Sequence, residues 1–146
     1  MANGDITVTT VVTGSTTGGS QLKGFTNSKI YSSINDVIER EITVPTSEVI
    51  LATVPAGAVS GYGLAALNHF EFKNLDATNF IQLGFVATGS SEAAFVKVKP
   101  GEHFIWNVGA AGIEAVASAT FVAFTGILNI TAKADTASCK CSYVAF

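Results

Sequence analysis

The stretch that decides the fold runs from Leu67 to Val108 and contains four segments in which apolar and polar residues alternate: LNHFEFKN (67–74), NFIQLGF (79–85), AFVKVK (94–99) and HFIWNV (103–108). In the first segment Phe70 and Phe72 fall on one side of an extended chain and Glu71 falls on the other. A period of two places the apolar side chains on one face of a half-buried antiparallel sheet. Turn-forming runs separate the segments. The stretch therefore predicts four short strands of an all-β domain.

Strand-like segments also lie on both sides of this stretch. Residues 36–54 favour a hairpin with its turn at 45–47, and residues 28–35 favour one helical turn or an irregular lead-in. Residues 127–133 and 138–146 favour a final pair of strands. About eight or nine strands without a convincing helix predict an antiparallel two-sheet sandwich. We expect it to be jelly-roll-like, with an extended N-terminal arm.

The N-terminal 27 residues differ in composition from the rest of the chain. The β-branched run ITVTTVV (6–12) leads into the Gly/Ser/Thr-rich linker TGSTTGGS (13–20). Two interpretations remain open: a frayed terminus or edge strand of its own domain, or an arm that adds a strand to a neighbour's sheet. We assign 1–27 to an extended N-terminal arm and linker, and 28–146 to the sandwich domain. The candidate partner-binding residues of the arm are Ile6, Val8, Val11 and Val12.

The composition favours assembly and disfavours some partners. Charged residues make up only 13% of the 146 residues, about half the share usual for a soluble protein. A surface with so little charge is better accommodated when another subunit covers part of it. The formal net charge of -3 disfavours a dedicated nucleic-acid binder. No apolar run is long enough for a membrane span, and no secretion signal is visible.

Few residues are candidates for chemistry. The two histidines, His69 and His103, fall at positions where the alternation predicts solvent exposure. Scattered carboxylates leave a glycosidase-type pair open, although no motif favours one. Cys139 and Cys141 point to the same face of a predicted strand, which is poor disulfide geometry, so we expect two small buried side chains. The sequence thus predicts no catalytic residue, no metal site and no cofactor.

Three segments carry a resemblance to a known family: NLDATNFIQLG (74–84), VKVKPGEHF (96–104) and ITAKADTAS (130–138). Together they resemble small β-rich virion structural proteins of tailed bacteriophages, over about 67–146. The resemblance implies a non-enzymatic component of the particle, with a capsid decoration (cement) protein favoured. A tail, baseplate or fibre-associated module is the alternative. The implied partners are further copies of the chain, as a trimer, and the major capsid protein. The implied location is the virion, assembled in the cytoplasm of the bacterial host.

Two other classes of function remain open. A carbohydrate- or receptor-binding β-sandwich would stack sugar rings on exposed aromatic side chains, for which Tyr62, Trp106 and Tyr143 are the candidates. Trp106 alternates with Phe104 and Val108, however, so we expect it to lie in the core. A hydrolase on a jelly-roll scaffold ranks third, because two separated histidines fall short of a clustered ligand set.

Overall fold

The computed structural model describes residues 4–12, 14, 25–34, 36–54, 63–64, 66–87, 93–107 and 127–146. These residues form ten strands, and no helix among them is long and apolar enough to cross a membrane. The prediction of an all-β fold is confirmed. In chain order the strands are β1 (Gly4–Val12), β2 (Phe25–Ile34), β3 (Ile38–Val44), β4 (Val49–Thr53), β5 (Phe70–Asn74), β6 (Ile81–Ala87), β7 (Ala93–Val98), β8 (His103–Trp106), β9 (Ile127–Ala134) and β10 (Cys139–Ala145).

The chain divides into two compact units, Met1–Asn35 and Asp36–Phe146. In the first unit β1 and β2 pair antiparallel and form a two-stranded sheet, which we call the ribbon. The predicted domain boundary after residue 27 falls inside β2. The expectation of a helical turn or irregular lead-in at 28–35 is wrong over 28–34, which are strand residues. The helical spacing of apolar residues there is overridden because β1 supplies a strand for these residues to pair with.

The second unit, which we call the body, contains two four-stranded antiparallel sheets. The first sheet has the order β3-β10-β5-β8, and the second has the order β4-β9-β6-β7. Their inner faces share one hydrophobic core. Phe85 of the second sheet lies 5.6 Å from Phe104 and 5.2 Å from Trp106 of the first, measured between ring centroids. The predicted antiparallel two-sheet sandwich is therefore confirmed.

Strands that are adjacent in sequence often belong to different sheets. Counted from one at β3 to eight at β10, the sheet orders are 1-8-3-6 and 2-7-4-5. The hairpin predicted over 36–54 is wrong, because β3 joins the first sheet and β4 the second. The predicted final pair is wrong for the same reason, since β9 pairs with β4 and β6 whereas β10 pairs with β3 and β5. Alternation shows which residues are buried, but both sheets bury one face, so it does not show which sheet a strand joins.

The four strands predicted between Leu67 and Val108 are present as β5 to β8, but they do not form one sheet. β6 and β7 form a hairpin in the second sheet, whereas β5 and β8 pair in the first. Phe70 and Phe72 of β5 are fully buried and Glu71 is partly exposed, as the alternation predicted. The central stretch thus supplies a pair of strands to each half of the sandwich.

Two polar side chains organise the turn between β5 and β6. The buried Asn74 donates from Nδ2 to the carbonyl oxygens of Asn79, at 2.9 Å, and Val98, at 3.1 Å. Its Oδ1 accepts from the backbone nitrogen of Asp76 at 3.0 Å. Asp76 Oδ1 accepts from the backbone nitrogens of Asn79 and Thr78, at 2.7 and 2.8 Å. These backbone hydrogen bonds, that of Asn79 first, lower the pKa of Asp76 below its ordinary value.

Candidate functional site

The four partner-binding candidates all lie in β1, but they do not share one face of the ribbon. Ile6, Val8 and Val12 are separated by even numbers of residues and project to one side, whereas Val11 projects to the other. Val11 and Val12 are 58% and 47% exposed. Ile30 of β2, which sequence reasoning did not select, is 64% exposed and belongs to the same face as Val11. The ribbon therefore presents β-branched apolar side chains on both faces.

The pairing of β1 with β2 is irregular at its N-terminal end. The register shifts between Gly4 and Ile6, and the carboxylate of Asp5 accepts from the backbone nitrogen of Ser33 at 3.3 Å. Ser33 has a positive φ of 62°, which is unusual for a residue other than glycine. Beyond this bulge the strands pair regularly from Ile6 to Val12. Among the described residues, the other edge of β1 has no strand beside it.

A second candidate region is the outer face of the first sheet, which we call the polar face. The strand register places Glu39, Val144, Glu71 and Ile105 in one row across the sheet, and Glu41, Ser142, Lys73 and His103 in the next. Except for Ile105, these residues line an open concavity of about 650 Å³, together with Arg40 and Tyr143. The lining contains carboxylates, cations and a hydroxyl, and Val144 is its aliphatic residue. Such a surface can form hydrogen bonds and ion pairs with a polar ligand.

Both histidines of the chain approach the carboxylate of Glu71 on the polar face. His103 Nε2 lies 2.7 Å from Glu71 Oε1, and His69 Nε2 lies 3.5 Å from Glu71 Oε2. The side chain of His103 is 42% exposed, which confirms its predicted surface position. Among the described residues, no group of three or more histidines, cysteines or acids is arranged to hold a metal ion. Glu71 is instead the carboxylate that both imidazoles approach, and either contact becomes an ion pair only when that imidazole is protonated.

The prediction that His69 is solvated is wrong, since its side chain is 1% exposed. Phe146 explains the difference. His69 and Phe146 pair through their backbones, with N–O distances of 2.9 and 3.1 Å, and their rings stack at a centroid distance of 5.0 Å. The sequence does place an apolar residue, Phe146, directly after the last predicted strand. That Phe146 covers His69 follows from the pairing of β10 with β5, which the alternation alone did not show.

Of the aromatic residues proposed as a sugar platform, Trp106 and Tyr143 do not present their side chains on the polar face. Trp106 packs against the core, as predicted from its alternation with Phe104. Tyr143 is 3% exposed, and its hydroxyl donates to the carbonyl oxygen of Leu51 at 3.1 Å, which links the two sheets. Tyr62 lies outside the described residues. Within the described part of the chain, the carbohydrate-binding hypothesis therefore depends on the polar side chains of the concavity.

Cys139 and Cys141 confirm the prediction of two buried free thiols. Burial is the main cause that raises the pKa of Cys139, and it raises the pKa of Cys141 to about 12. Because the thiolate is the reactive form, both side chains stay protonated and unreactive at neutral pH. They act as small core residues.

The geometry thus offers two candidate regions, the ribbon and the polar face. No family model, curated protein or solved structure matches this chain. The functional interpretation consequently depends on these two regions and on the resemblance of residues 67–146.

Proposed function

We propose that this protein is a non-enzymatic structural component of a bacteriophage virion that stabilises the particle through contacts between subunits. The ribbon is the observation that carries this proposal. A two-stranded sheet is at best marginally stable in water, and this one exposes Val11, Val12 and Ile30. Strand addition by another chain would satisfy the backbone groups at the open edge and give the side chains of β1 cross-strand neighbours.

The strand order of the body supports the same role. Two four-stranded sheets with the orders 1-8-3-6 and 2-7-4-5 have the interleaved connections of a jelly roll, and we infer that the body has this fold. Jelly rolls occur among viral capsid domains, but also among lectins and cupins. The fold supports a virion role only in combination with the ribbon and the resemblance.

Exposed apolar side chains on the body also fit a protein that is covered by neighbours. Phe95 is 58% exposed and Val37 is 52% exposed, on a chain in which only 13% of residues are charged. The partners that fit the resemblance are further copies of the chain, as a trimer, and the major capsid protein. A capsid decoration protein is the favoured position on the particle, and a tail, baseplate or fibre-associated module is the alternative.

The direct test is to locate the protein on particles. Virions from the culture that produces this chain are banded on a density gradient and probed with an antibody raised against the body. We expect the protein to band with the particles and gold-labelled antibody to decorate the capsid surface. Label confined to the tail would select the alternative position. Protein that remains entirely at the top of the gradient would contradict the proposal.

A carbohydrate- or receptor-binding role is the second candidate, and the concavity of the polar face favours it. The test is binding of the full chain to a glycan array. Glu71→Gln removes the charge that the two imidazoles share and should abolish any binding at this face. Gln82→Ala changes an exposed residue of the second sheet and should leave the binding intact. Equal behaviour of the two variants would exclude the polar face as the binding surface.

A further inference from the structure

We propose that the ribbon pairs with the ribbon of a second copy, through the open edges of the two β1 strands. The strands run antiparallel about a two-fold axis at Val8, so that the order becomes β2-β1-β1-β2 across the two copies. This inference rests on the proposed function in one respect, since both assign the ribbon to a contact between subunits. It goes further by naming the partner, the strand and the register. A two-fold contact joins chains in pairs, so it is a separate contact from the one that would build the trimer.

The comparison of sheet edges singles out β1. Edge strands that resist pairing are short, bulged or charged. Among the described strands, β3 carries charged residues at 39–41, β8 has four residues, β4 has a register shift at 50–52, and β7 carries Lys97. β1 also has a register shift and one charged residue, Asp5, but both lie at its N-terminal end. From Ile6 to Val12 it pairs regularly and carries no charge, which leaves an uninterrupted seven-residue edge for pairing.

The sequence of β1 is compatible with pairing to itself. A two-fold axis at Val8 places Ile6 opposite Thr10 of the second copy and brings Asp5, at the bulge, close to Val11, so that no like charges face each other. The equivalent arrangement of β2 would bring the two Lys29 side chains next to each other, which is unfavourable. Pairing through β1 also gives a four-stranded sheet, which exceeds the three strands that an independently stable sheet needs.

The register is tested with two cysteine variants of the full chain. Val8→Cys places the two substituted side chains directly opposite each other, about 4.5–5.5 Å apart between Cβ atoms, which a small backbone adjustment brings within disulfide range. Thr10→Cys lies on the same face, but the register places it opposite Ile6 of the second copy. The two substituted cysteines are then about 14 Å apart. The native thiols are buried and do not compete.

We expect mild oxidation to give a covalent dimer of the Val8→Cys variant on a non-reducing gel, and to leave the Thr10→Cys variant monomeric. Equal cross-linking of both variants, or of neither, would overturn the proposed register.

Two charge variants at Val11 provide an independent test. Val11→Lys brings an opposite charge close to the exposed carboxylate of Asp5 of the second copy, at both ends of the paired strands, whereas Val11→Asp brings a like charge there. Within its own chain the residue lies opposite the uncharged Thr26, so both variants alter the ribbon itself in a similar way. We expect the dimer of Val11→Asp to dissociate at a concentration at least about tenfold higher than that of Val11→Lys.

The measurement is light scattering across a dilution series. Dissociation of the two Val11 variants at the same concentration would overturn the pairing. Failure of this inference is distinguishable from failure of the proposed function. If the protein bands with virions but gives neither the cross-link nor the charge effect, the virion role is retained and the β1 pairing is excluded.

Discussion

Asn74 shows how one buried residue can hold three segments of the body together. Its amide contacts the backbone of Asn79 in the following turn and of Val98 at the end of β7, while its carbonyl caps the nitrogen of Asp76. The sequence identified 74–79 as a turn from its Asn and Asp residues. It did not show that Asn74 is fully buried, because burial depends on β5 lying beneath the β6–β7 hairpin.

Asn74→Asp should destabilise the protein by about 2–4 kcal/mol, because the nearly isosteric carboxylate cannot donate to the two carbonyl oxygens and places a charge in the core. The free energy of unfolding in urea measures this. Asn27→Asp makes the same change at an exposed position of the ribbon and should cost less than about 0.5 kcal/mol. Equal effects of the two variants would refute the role assigned to Asn74.

Asp76 should make the stability depend on pH in the acidic range. Because hydrogen bonds hold its folded-state pKa below the ordinary value of 3.8, the carboxylate stabilises the fold above that value. The contribution is lost as the pH falls through the lowered pKa.

Asp76→Asn keeps an acceptor oxygen but removes the charge. We expect wild type to have the higher Tm at neutral pH and the difference to shrink as the pH falls below the ordinary value of 3.8. A difference that stays constant from neutral to acidic pH would contradict this account.

At the scale of strands, Gly84 of β6 lies where two neighbouring strands leave no room for a side chain. A Cβ atom there would lie 2.5 Å from Thr131 Oγ1 on β9 and 3.1 Å from Phe95 Cε1 on β7. Phe95 is exposed and can move, whereas Thr131 is buried and its hydroxyl donates to Glu48 at 3.3 Å. Thr131 is therefore the neighbour that makes this position specific for glycine.

Gly84→Ala should cost about 1–3 kcal/mol of unfolding free energy, because Thr131 must shift and lose its bond to Glu48. In a Thr131→Ala background the same substitution should cost less. Unfolding of the four proteins of this double-mutant cycle measures the coupling between the two positions. Additive effects would show that Thr131 is not the residue that excludes a side chain at position 84.

The position and burial of most strands follow from local sequence, but their pairing does not. Alternation placed Phe70, Phe72 and Trp106 correctly because each strand of a sandwich buries one face. It joined β3 to β4 and β9 to β10 because both connections are short and turn-like. In the structure these short connections cross from one sheet to the other. The position of His69 was missed for a related reason, since its burial depends on the pairing of β5 with β10.

At the scale of the whole molecule, the chain consists of a ribbon and a body that differ in how they are stabilised. The body buries a core of fully enclosed aromatic and aliphatic side chains between two sheets. The ribbon has two strands and exposes Val11, Val12 and Ile30. The β-branched N-terminal run predicted a segment that needs a partner strand. β2 is one such strand, and the open edge of β1 is where we propose the second.

The most direct test of the central claim, that this protein works by joining subunits, is the mass of the full chain in solution, measured by size-exclusion chromatography with light scattering at micromolar concentration. We expect a mass of at least two chains, each of 15.1 kDa, and a lower mass for Val11→Asp than for wild type. A wild-type mass of 15.1 kDa that persists as the concentration is raised would contradict the claim.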